Sequence, residues 1–146
     1  MFFKRDLFNY MKFIIFSDSH GYTGKMSEVL FNTNYDLVIH LGDCIRDVEK
    51  LKIEYPNSNI CIIPGNNDFA FNESNEKILE FDGKKILACH GHKYNVKSGI
   101  DRLIYIAKQR QFDIVLFGHT HVTYNKINDG ILFLNPGSVT QYGTYA

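Results

Sequence analysis

Short apolar runs, each closed by a polar or glycine-bearing turn, recur along this chain. Residues 12–16 (KFIIF), 37–41 (LVIHL) and 59–63 (NICII) are too short for helices and rich in strand formers, so they predict strands. Between them the apolar period changes. Met26, Val29 and Leu30 fall at helical spacing and predict a helix over residues 23–32, and Val48 and Leu51 predict another that stops before Pro56. Residues 76–90 read as two strands about the turn Asp82-Gly83. Ile100, Leu103, Ile104 and Ala107 give one apolar face to a helix over residues 98–109, with Ser98 as N-cap and Asp101 three residues on. A strand over 113–117 follows, then a hairpin of 122–127 and 131–134 about Asn128-Asp129-Gly130. Strands alternate with helices first and hairpins enter later, which is an α/β pattern with mixed sheets. No repeat or linker interrupts it.

The residues that close these runs share one chemistry. KFIIF leads into Ser17-Asp18-Ser19-His20, LVIHL into Gly42-Asp43, and NICII into Pro64-Gly65-Asn66-Asn67-Asp68. ILAC leads into His90-Gly91-His92, and DIVLF into Gly118-His119-Thr120-His121. Ligands of open α/β sheets bind beyond the carboxyl ends of the strands, so five strand ends are expected to converge on one crevice. Asp18 and His20 are two apart, as are His119 and His121, so on an extended backbone each pair points to one side. Glycines before Asp43, Asn66 and His119 permit tight turns or close backbone approach.

Seven donors result: Asp18, His20, Asp43, Asn66, His90, His119 and His121. That exceeds the need of one ion with an open position. Shared over two ions roughly 3.5–4 Å apart, the set suits in-line displacement at phosphorus. Asp43 comes alone from a central strand and is the expected bridge. Carboxylate, carboxamide and imidazole without clustered thiolates fit Mn²⁺, Fe or Zn²⁺ and oppose a cysteine-zinc site. Plainer readings stand beside these: Asn66 as a turn residue, His90 as a core histidine, and Arg46 as a solvated helix residue instead of a contact to a substrate phosphate. His40, inside a strand, reads as structural.

Composition narrows the picture further. The 146 residues suit one domain, with residues 1–10 as a short N-terminal extension, mobile unless tied down, and 11–146 as the domain itself. A hydrophobic share of 45% and a charged share of 22% read as globular. Zero net charge offers no basic footprint for nucleic acid. Three scattered cysteines argue against a disulfide framework, no apolar run spans a membrane, and Lys4, Arg5 and Asp6 break any signal-peptide core. A cytoplasmic location is expected.

The ordered motifs D-S-H at 18–20, G-D at 42–43, G-N-N-D at 65–68, H-G-H at 90–92 and G-H-T-H at 118–121 resemble the calcineurin-like metallophosphoesterase superfamily. The short length and the N-P-G-S at 135–138 look most like its small YfcE-type phosphodiesterases, and the resemblance runs from about Met11 to Ser138. It implies a four-layer αββα sandwich with mixed sheets. It places Asp18, His20, Asp43 and His121 on one metal, and Asp43, Asn66, His90 and His119 on the other. It implies hydrolysis of phosphomonoesters or diesters by a metal-bridging hydroxide, supported by manganese, with iron, zinc or nickel as alternatives, and a small phosphate ester as the partner molecule.

Two departures qualify the resemblance. Many superfamily members carry a histidine, thought to protonate the leaving group, where this chain has Asn67. A carboxamide is no useful acid. His92 is the nearest substitute by motif, either as proton donor or as a hydrogen-bond partner behind the ligands. Only VTQYGTYA follows the N-P-G-S turn, so a shortened final strand is expected, leaving a sheet edge at which two copies could pair as a homodimer. The competing function is a metal-binding but catalytically weak interaction scaffold of the same fold, as in a retromer subunit.

Overall fold

Period-two alternation sorts the strand residues between two faces, and that sorting builds the layers. The computed structural model describes residues 2–6, 9–69, 71 and 73–140. In chain order the elements are β1 (Phe2–Asp6), β2 (Asn9–Phe16), α1 (Thr23–Asn32), β3 (Leu37–His40), α2 (Ile45–Glu54), β4 (Ile60–Ile62), β5 (Glu76–Phe81) and β6 (Lys84–Cys89). Two 3₁₀ turns, His92–Tyr94 and Val96–Ser98, then lead to α3 (Asp101–Gln109), β7 (Ile114–Leu116), β8 (Tyr124–Asn128) and β9 (Ile131–Asn135).

Two sheets form, in strand order β1-β2-β3-β4 and β5-β6-β7-β9-β8. Phe13, Ile15, Ile39, Leu41 and Ile63 of the first pack against Ile86, Ala88, Ile114, Leu116 and Leu134 of the second. The alternate residues turn outward. Ile14, Phe16 and Val38 meet Met26 and Leu30 of α1 and Leu51 of α2. Leu87, Val115 and Phe133 meet Leu103 and Ala107 of α3. The result is the expected four layers, αββα. Burying each such Leu, Ile or Phe contributes about 1.5–3 kcal/mol.

β2, β3 and β4 run parallel, as do β6, β7 and β9, while β1, β5 and β8 join as antiparallel neighbours. The expected mixed sheets are therefore present, with parallel centres. Parallel strands present their carboxyl ends on one side of each sheet, and there the donor-bearing turns lie.

Two details differ from the sequence reading, and one lies beyond the described residues. Residues 2–6 of the expected extension form a strand, with Phe2 opposite Lys12 and Lys4 opposite Tyr10, because β2 would otherwise expose a row of unpaired backbone groups. Ser98 is not the N-cap of α3. That helix starts at Asp101 with Ile100 at the cap, and Ser98 sits in a 3₁₀ turn with its hydroxyl donating to Asn95 Oδ1 at 3.3 Å. The shortened strand expected within residues 139–146 lies outside the described residues beyond Thr140, and Val139–Thr140 form a turn. No helix among the described residues is long and apolar enough to cross a membrane.

Candidate metal centre

Each donor-bearing turn leaves its strand abruptly. Asp18, His20, Asp43, His119 and His121 all have positive φ, between 42° and 66°. That region is uncommon for side-chain-bearing residues and persists only where the surroundings enforce it. The extended-backbone argument for the two D-x-H and H-x-H spacings therefore fails. Its consequence fails too for the second pair, since His119 and His121 join different groups.

The glycines behave as expected, through close approach. A Cβ on Gly65 would lie 2.1 Å from Asp43 Oδ1, and one on Gly118 would lie 1.9 Å from Ser17 Oγ. Gly42 combines a φ of +104° with backbone contact to Gly65. The Gly42 and Gly65 turns nest against each other, and the Gly118 turn against Ser17-Asp18, with no room for a methyl group.

Two groups of possible ligands emerge: Asp18, His20 and His121, and Asp43, His90 and His119. Asp43 lies between them, with Oδ1 3.5 Å from His90 Nε2 and Oδ2 3.9 Å from His20 Nε2. His121 Nε2 is 3.2 Å from Asp18 Oδ1. Asn66 joins the second group through Oδ1, 3.1 Å from His90 Nε2. All seven residues expected from the sequence are thus brought together.

The donor set fits cations. His90 Nδ1 lies 2.6 Å from the carbonyl oxygen of Leu41, which can only accept, so the proton sits on Nδ1 and Nε2 carries a lone pair. That lone pair faces Asn66 Oδ1, Asp43 Oδ1 and, at 3.2 Å, the ring nitrogen Nδ1 of His119, so the donor atoms of the second group converge on one point. Asp18 is fully buried; Ser17 and the backbone N–H of His119 satisfy its Oδ2, but its Oδ1 has no hydrogen-bond partner. A buried carboxylate oxygen with no hydrogen bond, and only the His121 ring nitrogen 3.2 Å away, is costly unless a cation completes it. Burial, with His90 beside it, lowers the pKa of His119 to about 4, which keeps its imidazole available as a neutral ligand. Burial works to raise the pKa of Asp43, but His90 and the two Asn67 bonds outweigh it, and the carboxyl falls below its ordinary value.

Residues 11–146 match the Calcineurin-like phosphoesterase superfamily domain. The chain belongs to the calcineurin-like phosphoesterase superfamily. It is 32% identical over 132 residues to the probable metallophosphoesterase YsnB of Bacillus subtilis, covering 88% of this chain and 75% of that protein. It is 30% identical over 151 residues to the phosphodiesterase MJ0936 of Methanocaldococcus jannaschii, covering 92% and 87%. The crystal structure of a predicted phosphoesterase from Streptococcus pneumoniae superposes with a TM-score of 0.75 at 32% identity, over 88% of this chain and 73% of that one. The E. coli phosphoesterase Yfce shares the fold, with a TM-score of 0.66 at 19% identity over 88% and 80%.

In this calcineurin-like phosphoesterase the Asn67 departure has a structural role. Its backbone N–H donates to Asp43 Oδ1 at 3.0 Å and its side-chain amide to Asp43 Oδ2 at 2.7 Å. His92 lies behind the second group, its ring 5.4 Å from that of His90 and 6.1 Å from that of His119, with Nδ1 buried and unpartnered. Burial first, then His90, lowers its pKa.

Sequence reasoning missed the residues that hold the turns in place. Asp68 accepts from four backbone N–H groups, those of Asp43, Cys44, Ile45 and Gly65, at 2.8–2.9 Å. It stood inside the G-N-N-D motif, which was the available signal. Asp47 accepts from the Ser19 hydroxyl at 2.8 Å and the Gly21 N–H at 2.7 Å. His40 completes that chain: Gly42 N–H donates to its Nδ1, and its Nε2–H donates to Ser19 Oγ at 3.0 Å. It is structural, as expected. In the N-P-G-S turn, Asn135 donates to Gly118 O at 2.9 Å, and Ser138 donates to the carbonyl of Asp18 at 2.7 Å.

Proposed function

We propose that this chain hydrolyses phosphate esters, diesters in preference to monoesters, with two divalent cations held by Asp18, His20, Asp43 and His121 on one side and Asp43, Asn66, His90 and His119 on the other. The observation that carries this reading is the position of Asp43, whose two carboxylate oxygens face His90 and His20 from opposite groups. Two ions such as Mn²⁺ held by these residues would activate a water for attack near neutral pH and would neutralise charge on the phosphoryl oxygens.

The chain's own residues do the rest. Leu41 O fixes the His90 tautomer, so Nε2 always presents its lone pair. Asn67 orients the Asp43 carboxylate, and Asp68 holds the Asp43 turn against Gly65. His92, the nearest substitute by motif for the missing histidine, is the candidate proton donor. Because Asn67 cannot supply a proton, activated esters are the better substrates. The name of MJ0936, a phosphodiesterase, supports the diester preference.

The test is hydrolysis of bis-p-nitrophenyl phosphate and p-nitrophenyl phosphate by metal-stripped protein, with and without Mn²⁺. Manganese-dependent turnover, faster on the diester, is the expected result. A folded protein inactive with every divalent ion would leave the scaffold reading in its place.

A further inference from the structure

Beside the metal centre lies a cavity of about 370 Å³ lined by Cys44, Ile45, Arg46, Asn67, Phe69 and Phe71. That volume falls in the range of small-molecule sites. Asn67 belongs to both places, since it lines the cavity and bonds both oxygens of Asp43. The cavity therefore opens beside the point where a phosphoryl group would sit.

Its walls are built from fixed parts. Phe71 packs on the cluster of Ile45, Val48 and Ile62, and Asp68 is tied by its four backbone bonds. Between these two anchors Phe69 is 92% exposed. A single exposed aromatic is ordinary on a surface, but this one directly follows the tied Asp68, next to the metal-ligand cluster. Arg46, in the first turn of α2, is exposed and makes no ion pair or hydrogen bond among the described residues. A guanidinium of this kind matches phosphoryl oxygens, and an aromatic face stacks on any planar ring.

We propose that this cavity takes a planar aromatic substituent of the phosphate ester, an aryl group or nucleobase, with Phe69 as its stacking face and Arg46 as the cation beside its phosphoryl group. The proposal rests on the phosphoesterase reading and names the substrate class for the same site. It also gives Arg46 a function that its place on a solvated helix does not supply.

Phenylphosphonate and methylphosphonate carry the same kind of anion, resist hydrolysis, and differ in the ring. Calorimetric titration of the Mn²⁺-loaded protein is expected to show the phenyl compound binding roughly tenfold tighter. Phe69→Ala, a change at an exposed position that leaves the core untouched, is expected to erase that preference while methylphosphonate binds as before. Arg46→Gln is expected to weaken both compounds by a similar factor, roughly tenfold. Equal binding of the two phosphonates by the unmodified protein, or a ring preference that survives Phe69→Ala, overturns the proposal. If Mn²⁺-dependent hydrolysis is intact in that case, the phosphoesterase reading stands and the cavity assignment alone falls. A Phe69-dependent ring preference in a protein without metal-dependent turnover would uphold the cavity and sink the hydrolysis.

Discussion

The side-chain amide of Asn67 donates to Asp43 Oδ2 at 2.7 Å, so the residue standing where many superfamily members have a histidine orients the carboxylate between the two ligand groups. A hydrogen bond to a charged group is worth about 1.5–3 kcal/mol. Asn67→Ala is therefore expected to weaken Mn²⁺ binding roughly tenfold or more. Activity should recover at saturating Mn²⁺. If the rate stays low there, Asn67 acts on the reaction and not through Asp43.

Asp43 faces both groups, so Asp43→Asn is expected to lose both ions together with activity. Ions that bind the folded state alone raise stability by about 2.7 kcal/mol at a hundredfold excess over Kd. The unmodified protein should melt at higher temperature with Mn²⁺ than with chelator, and the variant should show no difference. A full Mn²⁺ shift in Asp43→Asn would remove that residue from the centre.

Gly65 has an ordinary backbone conformation, but a Cβ there would stand 2.1 Å from Asp43 Oδ1 and 2.5 Å from Asp43 N. Gly65→Ala must push the Asp43 turn aside. Displacing a reacting group by an ångström costs about 10²-fold in rate, and a loss of that size with an unchanged circular-dichroism spectrum is expected. Retained activity would mean that the turn tolerates the shift.

His40 is buried in the bonds to Gly42 and Ser19, and burial, only partly opposed by Asp18, Asp68 and Asp47, lowers its pKa from 6.5 to about 4. The unfolded chain takes up this proton below pH 6.5 and the folded one does not until about pH 4, so stability present above pH 6.5 is lost as pH falls through that window. At pH 5.5 the loss is about 1.4 kcal/mol relative to neutral pH. Denaturant unfolding of metal-free protein at pH 7.5 and 5.5 should show it, and His40→Gln should shrink it. An equal loss in the variant would assign the pH dependence to other groups.

The sequence alone determined the chemistry. Donor type is written in residue identity, and each short apolar run announced both a strand and the turn that ends it, so Asp18, Asp43, Asn66, His90 and His119 could be found at strand ends without coordinates. The α/β pattern was legible for the same reason, while the four layers came from the family resemblance; the structure shows their basis, with Phe13 and Ile15 of KFIIF on one face and Ile14 and Phe16 on the other.

Tertiary structure decided what local pattern cannot hold. The left-handed φ of Asp18, His20, Asp43, His119 and His121 costs energy in an isolated turn and is stable only because neighbouring turns enforce it. Residue spacing does not decide the grouping: with the same spacing and the same left-handed φ, Asp18 and His20 share a group while His119 and His121 do not. The bonds that hold the turns join residues far apart in the chain, such as Ser138 to Asp18 and Asp68 to Asp43, and no short-range periodicity encodes them. Nor does any motif show that Asn67 would touch Asp43, because that contact exists only once β3 and β4 lie side by side and carry their loops to one place.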